Sequence, residues 1–224
     1  FFHPIQYFKD QRGQVFRNIP VAGKNVPENV HPEANRSSYG KTSTMANQVS
    51  IKNGELLREF KQVTQELVDV LMAFDESEIN SVPVNGGWTA GQVGEHLFKS
   101  DTAILNALYG PVKKTWREPD VYVEDIRAML LDFSTKVQAR DFILPTEDVC
   151  HDKYTLIVAL KSYRELINKA IRALDLSVTC TDPLLCSVVG EWTRFEYVHF
   201  LVAHTHRHIF QLKEIHSNLQ RARA

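Results

Sequence analysis

The chain has 224 residues, 43% of them apolar and 24% charged, enough to bury the core of one domain. A formal net charge of −1 and a pI near 6.8 exclude a global basic field for nucleic acid or an anionic membrane surface. Charged residues interrupt every apolar run short of the ~18 residues that a membrane-spanning helix needs.

Residues 1 to 50 differ from the rest. Pro4, Pro20, Pro27, Pro32 and the polar run from Asn35 to Thr44 carry no helical or alternating period, so the segment reads as an irregular leader. Met45 lies just ahead of strongly periodic sequence and is expected to be the native start. A first helix follows from about Asn53 to Phe74, with Leu56, Phe60, Val63, Leu67, Val70, Leu71 and Phe74 at helical spacing. A loop with Pro83 and two adjacent glycines leads to Thr89-x-x-Gln92, a capping box that opens a second helix ending at Gly110-Pro111. The connection from Val112 to Glu147 contains a short helical pattern between Glu124 and Lys136. A third long helix spans about Asp152 to Leu174, and a second irregular segment runs from Asp175 to Glu191, in which 187–189 is at most a short extended piece. The last helix opens on a second capping box, Thr193-x-x-Glu196, and runs to about Leu219. Four amphipathic helices predict an all-α four-helix bundle over residues 51–220.

The nine histidines separate by helical phase. His3 and His31 fall in the leader, and His151 is expected at the surface beside Asp152. On the last helix, a rotation of about 100° per residue puts His204 and His208 on the face of Tyr197, Leu201, Leu212 and Ile215. The same rotation turns His199 and His206 to solvent and leaves His216 at the edge of the apolar face. An inward i, i+4 histidine pair has two readings, a satisfied core pair or two ligands of one metal ion. His96, two turns past its cap on the second helix, also points inward. Three imidazoles with an open fourth position form a known catalytic zinc arrangement.

The segment Trp88-Thr-Ala-Gly-Gln-Val-Gly-Glu-His96 fits W-[ST]-x-x-x-[VIL]-x-x-H, and His204-Thr-His-Arg-His208 supplies an HxxxH on the last helix. In their order and helix starts these segments resemble the DinB/YfiT-like superfamily over about Asn53 to Leu219. The resemblance implies a bundle of up-down-down-up topology and a divalent metal, often zinc or nickel, held by His96, His204 and His208. It also implies a small-molecule substrate, with activities that are mostly low-molecular-weight-thiol transferases and isomerases using bacillithiol, mycothiol or glutathione. Other members are called metal-dependent hydrolases without a demonstrated substrate. Neither nucleic acid nor membrane is an expected partner; a homodimer, and a non-catalytic metal-binding stress-response role, stay open.

Several other residues are read as structural. Thr205 stands where HExxH enzymes carry their glutamate, and Glu95 points about 100° away from His96. With no carboxylate placed as a general base, thiolate chemistry is favoured over hydrolysis. Asp101 and Glu191 are read as a solvated helix residue and a loop charge, Arg207 as exposed, and Trp88 and Trp192 as hydrophobic staples. Cys150, Cys180 and Cys186 form no CxxC and no even framework, and the N-terminus has no secretory layout. Reduced thiols in a cytoplasmic chain are therefore expected.

Overall fold

The computed structural model describes residues 39–135 and 138–223, with side chains from Lys52 onward except those of 186–188. The readings made on the leader up to residue 38, including His3 and His31, lie outside the described residues. Four long helices, α1 (Tyr39–Met72), α2 (Ala90–Tyr109), α4 (Lys153–Ala173) and α6 (Arg194–Arg221), carry the fold, with shorter α3 (Val123–Leu131) and α5 (Pro183–Val189) in the connections. None of the described helices is long and apolar enough to cross a membrane.

Each long helix forms for reasons written in its ends and stripe. In α1, Leu56, Phe60, Val63, Leu67 and Leu71 are all within 1% of full burial, a continuous apolar ridge. The helix extends upstream to Tyr39, beyond the expected start at Asn53. Residues 39–52 mix polar residues with scattered apolar ones at no regular spacing, but no proline interrupts them, and a nucleated helix propagates through permissive sequence. Thr89 and Thr193 both form full capping boxes, with Gln92 and Glu196 reaching back to the cap backbone. Asp152 caps α4 by accepting from the Thr155 N–H. Ahead of α2 the chain turns through Gly86 and Gly87, whose φ values of 73° and 95° suit glycine alone.

The connections contain what short elements conceal from a period search. Val112–Lys113 (β1) pairs antiparallel with Thr179–Cys180 (β2), two residues on each side. The segment 187–189, expected to be extended, instead closes α5. Pro183 at its first position presets the helical φ, and Asp182 accepts from the Leu185 N–H as an N-terminal cap.

Helix directions follow from paired contacts. Early residues of α2 meet early residues of α4: Gly94 lies against Leu156, Phe98 against Tyr163 and Asp101 against Arg164, so these two helices are parallel. Glu66 meets Lys213 and Phe74 meets His216, making α1 and α6 parallel. The start of α4 caps the end of α1 through Lys153 Nζ to the Phe74 carbonyl, and Arg194 at the start of α6 reaches the Asp175 carbonyl beyond the end of α4. The result is the up-down-down-up bundle.

The close approach of α2 and α4 depends on glycine. A Cβ at Gly91 would fall 2.9 Å from Cβ and 2.7 Å from Cδ2 of His151, whose backbone is fixed by reciprocal bonds with Asn80. At Gly94 the nearest atom, 2.5 Å away, is Cδ2 of Leu156, the free end of a flexible side chain. Alanine gains about 1 kcal/mol of helix propensity at either site, whereas overpacking costs about 1–3 kcal/mol where the neighbour cannot yield. Urea unfolding of Gly91→Ala is therefore expected to show net destabilisation, and that of Gly94→Ala a near-neutral change; equal effects would contradict this account of the helix contact.

Candidate metal centre

Helix α2 delivers His96 two turns past its Thr89 cap, and α6 delivers His204 and His208 from consecutive turns. They are 2%, 6% and 8% exposed. Their Nε2 atoms converge: His204 Nε2 lies 3.1 Å from that of His96 and 3.0 Å from that of His208. Among the described residues this is the one group of three or more histidine, cysteine or acidic side chains disposed to hold a metal ion.

Outer hydrogen bonds decide which nitrogen faces inward. His96 Nδ1–H donates to the Ile143 carbonyl at 2.9 Å, since a carbonyl can only accept, and this leaves the Nε2 lone pair free. His208 Nδ1 makes the matching bond to Gln211 Oε1 at 2.8 Å. His204 lies nearly parallel to the Phe200 ring, 5.1 Å between centroids, and its Nδ1 has no hydrogen-bond partner among the described residues. Two lone pairs thus face His204 Nε2, which can supply at most one proton between them. A cation satisfies all three. Tetrahedral zinc with Zn–N of 2.0–2.1 Å sets its nitrogens roughly 3.3 Å apart, close to the separations seen here. The residues present fit the ion.

Burial also prepares the ligands chemically. Desolvation is the leading cause that holds His96 below the ordinary histidine range, His208 at about 3, and His204 well below that range. Burial thus favours the neutral form of each imidazole, the form that binds metal. Trp88 is more than a staple, because its ring packs 5.0 Å from that of His96. Trp192 does act as the staple of α6, packing on Tyr197 at 5.5 Å.

Other expected positions differ in the structure. His199 is half-buried, lies against Phe195, and is held at about 4 chiefly by desolvation. The short helix α3 covers that side of α6, so the face expected to meet solvent is a second interface; His206 is half-buried for the same reason. The His151 side chain is 10% exposed, with Nε2 3.4 Å from Glu95. Arg207 is half-buried, and its guanidinium donates to the carbonyls of Leu130, Asp132 and Thr135 at the end of α3. Asp101 is fully buried and bidentate to Arg164.

That pair was legible in principle. Leu97, Asp101, Ile104 and Leu108 form one stripe, as do Ile157, Leu160, Arg164, Ile167 and Ile171 on α4, which sets opposite charges at core positions of two helices. Glu95 does point away from the triad, accepting from the Thr146 N–H and hydroxyl and from Lys99. Glu191 is an exposed loop charge paired with Lys113. Cys180 is buried in β2, apart from the ligand group. Two cavities of about 400 and 410 Å³ lie around Arg117, one towards Lys114 and Ser177 and the other towards Tyr122 and Trp192; no triad residue lines either.

The sequence profile of the DinB superfamily matches residues 59–212, well over half the chain, and so takes in both histidine-bearing helices. The chain belongs to the DinB superfamily. Among solved structures it is similar to YfiT from Bacillus subtilis, described as "a probable metal-dependent hydrolase with an unusual four-helix bundle topology". The likeness has a TM-score of 0.50 at 16% identity and covers 75% of this chain and 87% of YfiT, a similarity of fold. No curated protein matches the chain.

Two outcomes follow from the site. Mass-spectrometric metal analysis is expected to find one divalent ion per chain, lost in His204→Ala and retained in His206→Ala; equal content in both variants would remove the triad assignment. In the metal-free protein, His199 and His208 bind protons less readily folded than unfolded. Their stabilisation is complete above the ordinary histidine pKa of about 6.5 and is lost as pH falls towards the folded values. Thermal unfolding of the metal-free protein should drop in temperature between about pH 6.5 and 4. The drop should be shallower in His199→Leu, and an unchanged slope would show that His199 is not desolvated.

Proposed function

We propose that this protein is a divalent-metal-dependent S-transferase that joins a low-molecular-weight thiol to an electrophilic carbon. The observation that carries the reading is a buried triad of imidazoles that, among the described residues, no carboxylate joins. His96, His204 and His208 would hold such an ion without neutralising its charge, and the ion would supply the lowering of a thiol's pKa that yields a nucleophile near neutral pH. The sulfur forms a bond to the electrophilic carbon, and the leaving group departs with its electron pair. That chemistry needs no general base once the thiol is ionised.

The chain's own residues orient and shield. Ile143 and Gln211 fix the ring orientations of His96 and His208. Trp88 and Phe200 wall the histidines with aromatic surface that excludes water. The approach is narrow, since His204 and His208 keep only 6% and 8% of their surface, which favours a slender thiol over a bulky cofactor. Zinc and nickel both suit an all-imidazole donor set.

Hydrolysis is the second reading, supported by the description that YfiT carries. Against it, the carboxylates nearest in sequence are committed elsewhere: Glu95 to Thr146 and Lys99, and Asp101 to Arg164. Zinc- and nickel-loaded protein should be assayed with bacillithiol, mycothiol and glutathione against a halo-aromatic electrophile, alongside ester and amide substrates without thiol. The expected result is thiol- and metal-dependent turnover that falls at least a hundredfold in His204→Ala, in line with losing a metal ligand. Ester cleavage that needs metal but no thiol would replace this reading with hydrolysis.

A further inference from the structure

All four long helices meet at one guanidinium. Arg164 of α4 is 1% exposed and donates from Nε and Nη2 to the two carboxylate oxygens of Asp101 on α2, at 2.8 and 3.1 Å. Its Nη2 also donates to the Thr205 hydroxyl on α6 at 2.9 Å, and Nη1 to the Thr64 hydroxyl on α1 at 3.3 Å. Thr205 spends its own proton on the Leu201 carbonyl at 2.6 Å, so its oxygen is an acceptor for the arginine and the network is directional.

Cohesion of the bundle does not explain this group. Taking an ion pair out of water costs several kcal/mol per charge, and hydrophobic residues of similar volume commonly serve the core as well or better. The apolar stripes on either side of Asp101 and Arg164 show that the sequence supplies such residues where packing alone is needed. What the pair adds is direction. A leucine contact tolerates sliding and rotation, whereas a planar fork with two carboxylate bonds and a hydroxyl bond does not.

Its position gives that direction a use. Asp101 stands five residues beyond His96 on α2, and Thr205 directly follows His204 on α6. Helix α4 contributes no member of the triad, yet its arginine ties together the two helices that do. We propose that Arg164 and Asp101 are positioning residues of the metal centre, fixing the register of α6 against α2 so that His204 and His96 meet at ligand distance. The proposal rests on the reading of the triad as a metal site. A metal site tolerates only about 0.2 Å in its ligand distances, so a slide of α6 that leaves the core packed would still spoil the site. Asp101 has a second effect: it neutralises a guanidinium that would otherwise stand behind His204 and repel a dication.

The test separates positioning from stability. Zinc affinity by chelator competition and unfolding free energy of the metal-free protein are measured for wild type, Thr205→Val, Thr205→Ser and the double variant Asp101→Leu with Arg164→Met. Zinc binding is expected to weaken roughly 10- to 100-fold in the double variant and at least several-fold in Thr205→Val, the range typical of groups that hold metal ligands in place. Thr205→Ser, which keeps the hydroxyl, should bind as wild type does, and the metal-free double variant should be as stable as wild type or more so. Wild-type affinity in a folded double variant would overturn the proposal, as would Thr205→Val and Thr205→Ser binding alike. Should the double variant not fold, the valine and serine pair decides. Failure of the wild type itself to bind zinc or nickel would instead overturn the triad reading on which the proposal stands.

Discussion

Desolvating one neutral imidazole is tolerable; pressing three together with their lone pairs on a common point is not, unless a cation takes those lone pairs. His96, His204 and His208 meet in that way, with Nε2 separations of 3.0 and 3.1 Å in a nearly closed interior. The fold supplies this convergence from its helix starts. Thr89 and Thr193 each begin their helix with a full capping box, closed by Gln92 in α2 and by Glu196 in α6, and the number of residues from each cap sets how deep each histidine lies. Moving either cap by one residue would rotate its histidines by about 100° and dissolve the site.

Three acids are buried among the described residues, and each is answered. Asp101 has Arg164. Glu196 accepts from Arg117 through both oxygens while also serving its own cap and the Tyr122 N–H, which pins the 117–122 connection onto the start of α6. Glu78 accepts from the Asp75 backbone N–H and from the side chains of Gln220 and Arg223. These groups share one consequence: they make the relative placement of helices specific, at a cost in desolvation that an apolar core would avoid. Such specificity is what a site built from side chains on two different helices requires.

Much of this was written in local sequence. The two capping boxes, the α1 ridge, the Gly110-Pro111 stop and the inward pair His204 and His208 are matters of spacing within one helix, which periodicity reads directly. What escaped reading depends on other segments. His199 faces solvent only if nothing covers α6 there, and α3 does. His151 is drawn inward by Asn80 and by the missing Cβ of Gly91, neither of which its own neighbours reveal. Arg207 is half-buried because the end of α3 presents carbonyls to it. Two-residue strands and a seven-residue helix are too short to establish a period, so β1, β2 and α5 had to come from the structure. Asp101 is the instructive case: a charge on an apolar stripe was visible, but its meaning required the matching arginine on another helix.

On the proposed reading, His96, His204 and His208 hold one ion and leave room for a thiol. Cobalt substitution tests it most directly, because the visible absorption and the X-ray absorption edge of cobalt report both geometry and ligand type. The expected result is a four- or five-coordinate ion with three imidazole nitrogens, whose spectrum shifts when a low-molecular-weight thiol is added. A closed site with four protein ligands and no response to thiol, or no cobalt bound at the triad, would contradict it.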